Sequence, residues 1–313
     1  MNSFREYGFE LIGQESGFSF DVAVDGQYAY SSASWDGLRI LDISDPTKPT
    51  NIGSIKFDTH TSRTFVNNNI AYIAESPDEF KKAHIPVGIR IIDISNKAKP
   101  IGIGHIPFTD DVVEKDGLIY ALASYGAEPF RSTLHISEFT PPSKPSIVAE
   151  YHFEHRAQRI VISNNYAFLA VGYAGVQVID ISTPEAPKHI CSYTEPLVVT
   201  DIAVTEAGDF VFAAVTFSEW SGMRILSFSP DKGLLDIGGF KATGPYHKIA
   251  VHNNDAYISH IWHGIWAVDI QDKTNPVEKG FYSIRYAENM AANEQYVFVS
   301  ANSNGLLILR PIL

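Results

Sequence analysis

The chain has 313 residues, with 24 Lys and Arg against 36 Asp and Glu for a formal charge of −12, and 45% of its residues are hydrophobic. That length can bury a sizeable core, and the acidic balance argues against nucleic acid or an anionic membrane as partner, because both require clustered Lys and Arg. No apolar run approaches the roughly 18 residues of a membrane span, the opening Met-Asn-Ser-Phe-Arg-Glu has no signal segment, and the one cysteine, Cys191, forms neither an internal disulfide nor a zinc signature; a cytoplasmic protein is expected.

In chain order, the first element is an orphan strand, Phe9–Gly13. An apolar strand follows at Asp21–Val24, then a polar turn at Asp25–Gln27 and an aromatic-rich strand at Tyr28–Tyr30. After a loop ending in Gly37 come a strand over Leu38–Ser44, a proline turn and a fourth strand, Thr50–Ile55. This unit then recurs. Leu38-Arg-Ile-Leu-Asp-Ile-Ser-Asp-Pro-Thr-Lys-Pro49 returns as Ile89-Arg-Ile-Ile-Asp-Ile-Ser-Asn-Lys-Ala-Lys-Pro100, Val176-Gln-Val-Ile-Asp-Ile-Ser-Thr-Pro-Glu-Ala-Pro187 and Ile265-Trp-Ala-Val-Asp-Ile-Gln-Asp-Lys-Thr-Asn-Pro276. Weaker copies lie at Leu134–Pro145, Met223–Leu234 and Leu306–Leu313. With Asp42, Asp93, Glu138, Asp180, Ser227, Asp269 and Arg310 as markers, the steps are 51, 45, 42, 47, 42 and 41 residues. That is the period of a four-stranded propeller blade.

The reading is therefore all-β: a seven-bladed β-propeller of four-stranded antiparallel blades, one domain over residues 1–313. The last unit ends after its third strand, so the N-terminal strand is expected to complete that blade and close the ring, which removes a free edge. The only helical turn expected lies within Asp78–Ala83. Long loops at Glu75–Val87 and Tyr125–Arg131 depart from the repeat length and read as either a lid or partner surface, or plain solvated insertions.

The Leu-Arg-Ile-Leu-Asp, Ile-Arg-Ile-Ile-Asp and Val-Gln-Val-Ile-Asp strands resemble the LVIVD-repeat family of bacterial and archaeal β-propellers over nearly the whole chain, although the motif is clean in four units only. Units three, five and seven carry Glu138, Ser227 and Arg310 at the marker position, so no role of that Asp is needed in every blade. The resemblance implies a propeller; members of the family mostly have no assigned activity, and many are exported, which this N-terminus does not support.

The Asp-x-Ser-x-x-x-x-Pro run reads as a structural turn, in which Asp and Ser accept backbone N–H bonds. Candidate function lies on the opposite face. Trp35, Tyr173, Trp220 and Trp262 each stand two residues before the glycine that opens a third strand, as ligand platforms or as inter-blade packing. At the start of the first strands, lining the channel mouth, acid and base alternate: Asp21, Arg63, Asp111, Arg159, Asp201 and Lys248, then Asn289. This is either a self-neutralising belt or a polar ligand site in which Arg63 or Arg159 holds a carboxylate. His60, His155 and His247 precede those strands as candidate proton carriers, and His84, His260 and His263 lie in loops of the same face. No metal site and no cofactor are expected, since no phosphate loop, nucleophile elbow, His-Glu-x-x-His or calcium loop occurs. Cys191 reads as packing. The functional expectation is a small polar or aromatic ligand bound in a funnel at the channel mouth and, if the site is catalytic, acid–base chemistry of a lyase, isomerase or hydrolase kind; the alternative is a protein-interaction scaffold using the same face.

Overall fold

The computed structural model describes residues 6–76, 88–125, 131–140, 145–195, 198–216, 221–242 and 247–312. The helical turn expected within Asp78–Ala83, His84, Trp220 and most of the two long loops lie outside them.

Tight polar turns close the hairpins. Asp116-Gly117 takes φ of 54° and 81°, the left-handed pair that a two-residue turn between antiparallel strands requires. In blades one to six four strands in chain order make the blade: in blade one these are Asp21–Asp25, Tyr28–Ser32, Leu38–Asp42 and Thr50–Ile55. Seven such sheets are present, all antiparallel. The seventh is completed by the chain start, where Phe9–Glu15 pairs with Leu306–Pro311, Phe9 opposite Pro311 and Glu15 opposite Leu306. The ring closes as the repeat count requires. Among the described residues the one helical turn is a 3₁₀ segment, Ser34–Asp36, which carries Trp35.

The repeat signature is a continuous apolar run because the third strand is covered on both faces. Ile40 packs with Ala71, Ile73 and Ile92 of blade two, while its neighbour Leu41 packs with Phe298, Leu306 and Ile308 of blade seven. Seven clusters of this kind, one between each adjacent pair of blades, form the core. Burying each such side chain stabilises by about 1.5–3 kcal/mol, so the blades hold one another in place where a lone sheet would not.

Each outer pair of strands also carries a β-bulge. In blade one Ile40 faces Gly53 and Leu41 faces Asn51, so Ile52 is unpaired and joins the cluster against blade two. The same shift recurs in blades two to six, and in blade seven it falls on the N-terminal strand, between Leu11 and Gly13. Bulges increase local twist, which the outer edge of a radially arranged sheet requires. The glycine that opens the third strand has a separate cause. A Cβ on Gly37 would lie 2.1 Å from the Ile55 carbonyl oxygen, and one on Gly175 would lie 1.8 Å from that of Tyr193, each with φ of 75°.

At the far end of the ring the Asp-x-Ser runs are turns. Asp42, Asp93 and Asp180 accept the amides of Ser44, Ser95 and Ser182 at 2.8–2.9 Å, and Asp269 accepts that of Gln271. The Ser44 hydroxyl and amide hold the Asp42 carboxyl below its usual range. Cys191 lies half-buried in the fourth strand of blade four, Lys188–Tyr193, against the blade four and five cluster. No helix of the described residues is long and apolar enough to cross a membrane.

Candidate functional site at the channel mouth

The innermost strand of every blade starts at the same face, and the alternating residues assemble there. Asp21, Asp111 and Asp201 are buried, at 2–3% exposure, and each reaches into the next blade. Asp21 Oδ2 accepts the Thr64 amide at 2.6 Å, Asp111 Oδ2 the Ile160 amide at 2.9 Å and Asp201 Oδ2 the Ile249 amide at 3.1 Å. The carboxylates of blades one, three and five thus clip the inner strands of blades two, four and six. Asn289 of blade seven donates its side-chain amide to Asp21 Oδ1, which joins the last blade to the first.

The three cations differ from one another. Arg159 sits between Asp111 Oδ1 and Asp201 Oδ1 at 3.5 Å each, a true piece of the expected belt. Although burial pulls the other way, the carboxylates of Asp111, Asp201 and Asp21 raise its pKa. Arg63 makes one long bond, Nη2 to the Gln158 carbonyl oxygen at 3.4 Å, and its Nη1 is buried without a hydrogen-bond partner among the described residues. Lys248 has no ion pair within 4 Å among them either. Burial and the neighbouring Arg63 charge push its pKa down to about 8, against the pull of Asp201. Asp201 is held below the usual carboxylate range because Lys248, Arg159 and Arg63 outweigh its burial. At Asp21 burial outweighs Arg63 and Arg159, and its pKa rises.

Above this ring opens a cavity of about 440 Å³. Arg63, Lys248 and Asn289 form part of its wall, as does a second ring one residue earlier in the repeat: Phe20, Ser62, Asp110, Gln158 and Glu288. Arg156, Ala157 and Glu75 complete it. The sequence reading missed this second ring, although the register that found the first also marks it. Glu75, at the end of the second strand of blade two, is buried and receives hydrogen bonds from Thr59, Arg90 Nε at 2.9 Å and His105 Nε2 at 3.1 Å. Burial alone would raise its pKa; those three donors bring it below its usual range.

The remaining expected residues stand around this mouth. Trp35, Tyr173 and Trp262 are 43%, 82% and 56% exposed, so these rings face solvent and are not wedged between blades. None is part of the cavity wall described above. Trp35 makes an edge contact with His60 at 6.2 Å, and His60 in turn meets Phe20 at 4.7 Å, which links this aromatic to the cavity. Trp262 packs on Tyr286 at 5.4 Å, and His263 stacks on the buried His260 at 4.4 Å. His155 is exposed and left-handed, with φ of 79°, beside Arg156 of the wall. The His247 backbone pairs with His260, and its side chain is outside the described residues, as is Trp220. Among the described residues no group of three or more His, Cys, Asp or Glu is placed to hold a metal.

Seven radial four-stranded blades around a polar channel define a β-propeller. The model of the LVIVD repeat matches residues 16–56, 84–106, 155–195, 243–283 and 284–309, more than half of the chain, and the protein belongs to that family. No curated protein matches the chain. Among solved structures it is similar to a computationally designed protein, Ika8, with 9% sequence identity, 96% of this chain and 98% of that one covered and a TM-score of 0.62, a likeness of fold.

Proposed function

We propose that this propeller binds a small polar molecule in the funnel at the channel mouth. The observation that supports the reading is the cavity of about 440 Å³, whose volume is that of a small-molecule site and whose wall gathers polar side chains from several blades. Its floor is rigid, since the Asp clips hold neighbouring inner strands together, and preorganised donors lose little entropy on binding. A thermal-shift screen of metabolites tests it: a hit whose stabilisation disappears in Arg63→Ala supports the proposal, and hits unaffected by that change refute it.

A second reading, a protein-interaction scaffold on the same face, draws support from the exposed rings of Phe18, Trp35, Phe108, Tyr173 and Trp262, all on loops of that face. Exposed aromatics are frequent interface anchors. Under this reading, partner capture is lost in Trp35→Ala and Trp262→Ala and kept in Arg63→Ala.

A further inference from the structure

We infer that the ligand of the funnel carries a single carboxylate, seated between Arg63 and Lys248, on a body bearing hydroxyl or amino groups. This rests on the binding function proposed above and specifies its chemical class.

The first argument is an inventory of donors and acceptors on the floor. Most of the acidic oxygens are engaged: one of each Asp takes a backbone amide of the next blade, Asp21 Oδ1 also takes Asn289, and Arg159 lies 3.5 Å from Asp111 Oδ1 and from Asp201 Oδ1, the last of which accepts no hydrogen bond among the described residues. Two cationic side chains are left over. Arg63 Nη1 is buried without a partner among the described residues, and the Lys248 ammonium has no ion pair among them. Both line the cavity. Two like charges in a half-buried wall repel each other, and an anion between them turns that repulsion into two attractions. A planar carboxylate matches the two parallel donors along one guanidinium edge.

The second argument limits the rest of the ligand. Of the charged groups on the upper wall, Arg156 and Asp110 are exposed and opposite in sign, and Glu75 is paired with Arg90 at 2.9 Å and hydrogen-bonded to His105. Glu288 remains, half-buried, with Oε1 accepting from Asn302 at 3.0 Å. A second anionic group on the ligand meets that carboxylate, whereas an ammonium or hydroxyl pairs with it. Ser62 and Gln158 offer a hydroxyl and an amide, and Phe20 offers one apolar wall.

Affinity is also pH-dependent. Lys248 faces Arg63, Arg159, Asp21 and Asp201 on the floor, with Glu288 and Asp110 above it, and the balance leaves it titrating near pH 8 in the empty site. A bound carboxylate favours its charged form, so binding takes up a proton around that pH and weakens as the ammonium is lost.

Calorimetric titration, with amide NMR to locate the site, decides the matter. The probes are lactate, gluconate and glycine, set against succinate, inorganic phosphate and glucose. The monocarboxylates are expected to bind and to shift Arg63 and Asn289, with succinate about tenfold weaker or more, the scale of one charge-assisted hydrogen bond, and glucose silent; phosphate binding there more tightly than any monocarboxylate overturns the assignment of class. Arg63→Gln and Lys248→Met should each cost about tenfold or more on the same scale while the melting temperature stays within a few degrees. Raising the pH from 7 to 9.5 should weaken the native protein and leave Lys248→Met unchanged. Glucose or succinate binding in the cavity as tightly as gluconate overturns the assignment of class and leaves the binding function standing. No shift at any cavity residue with any probe overturns both.

Discussion

Asp111→Ala removes one of the three carboxylate clips, and its cost follows from what the change strands. The Ile160 amide, donated to Asp111 Oδ2 at 2.9 Å, becomes a buried unpaired donor. Such a group costs about 1–3 kcal/mol. Arg159 loses its contact at 3.5 Å with Asp111 but keeps Asp201 at the same distance, and its side chain is about a third exposed. Solvent screening and the surviving partner keep that loss to about 1 kcal/mol or less. The expected destabilisation is about 1–4 kcal/mol. For 313 residues an unfolding entropy of about 2.1 cal/mol/K per residue makes each kcal/mol worth about 1.5 °C, so the melting temperature should fall by about 1.5–6 °C. Calorimetric melting of Asp111→Asn provides the contrast. Asn retains an oxygen for the Ile160 amide and loses only the charge, so it should fall by less than half as much. A shift under 1 °C for the Ala variant, or an Asn variant as unstable as Ala, would show that the carboxylate is not a clip between blades.

Two further outcomes follow from local geometry and charge. Gly37→Ala places a Cβ 2.1 Å from the Ile55 carbonyl oxygen at φ 75°, whereas Gly26→Ala, at φ 56°, points into open space; urea unfolding should show the first costing about 2–3 kcal/mol and the second about 1 kcal/mol. Lys248 has its folded pKa depressed from 10.5 to about 8, so between those values the unfolded chain binds more protons than the folded one and stability rises with pH across the window. Lys248→Met lacks this linkage, and its stability advantage over the native protein should therefore shrink as the pH is raised from 7 to 10, which equilibrium unfolding at several pH values measures.

The number of blades, the strand order and the way the ring closes were all legible in the amino-acid pattern, because a repeat of about 45 residues carries its local rules seven times over. The same register aligned Asp21 through Asn289 at one position, and the structure does bring them to one mouth. It also showed the Asp-x-Ser runs to be turns, as the chemistry of Asx motifs implies. The bulge at Ile52 and its equivalents left no such mark, since a single inserted residue in an outer strand looks like any other apolar position.

How the ring shares its partners was not legible either. An alternation of Asp and Arg reads either as a belt of ion pairs or as a polar ligand site; in the structure the Asp side chains give an oxygen to the next blade's backbone, Arg159 takes two carboxylates, and Arg63 and Lys248 line the cavity. Composition and spacing place residues on a ring; the tilt and separation of neighbouring blades, set by packing between distant segments, decide within a few tenths of an ångström which donor reaches which acceptor. Hydrogen bonds weaken steeply beyond that range, so the chemistry of the channel mouth belongs to the tertiary structure, while the propeller itself belongs to the repeat.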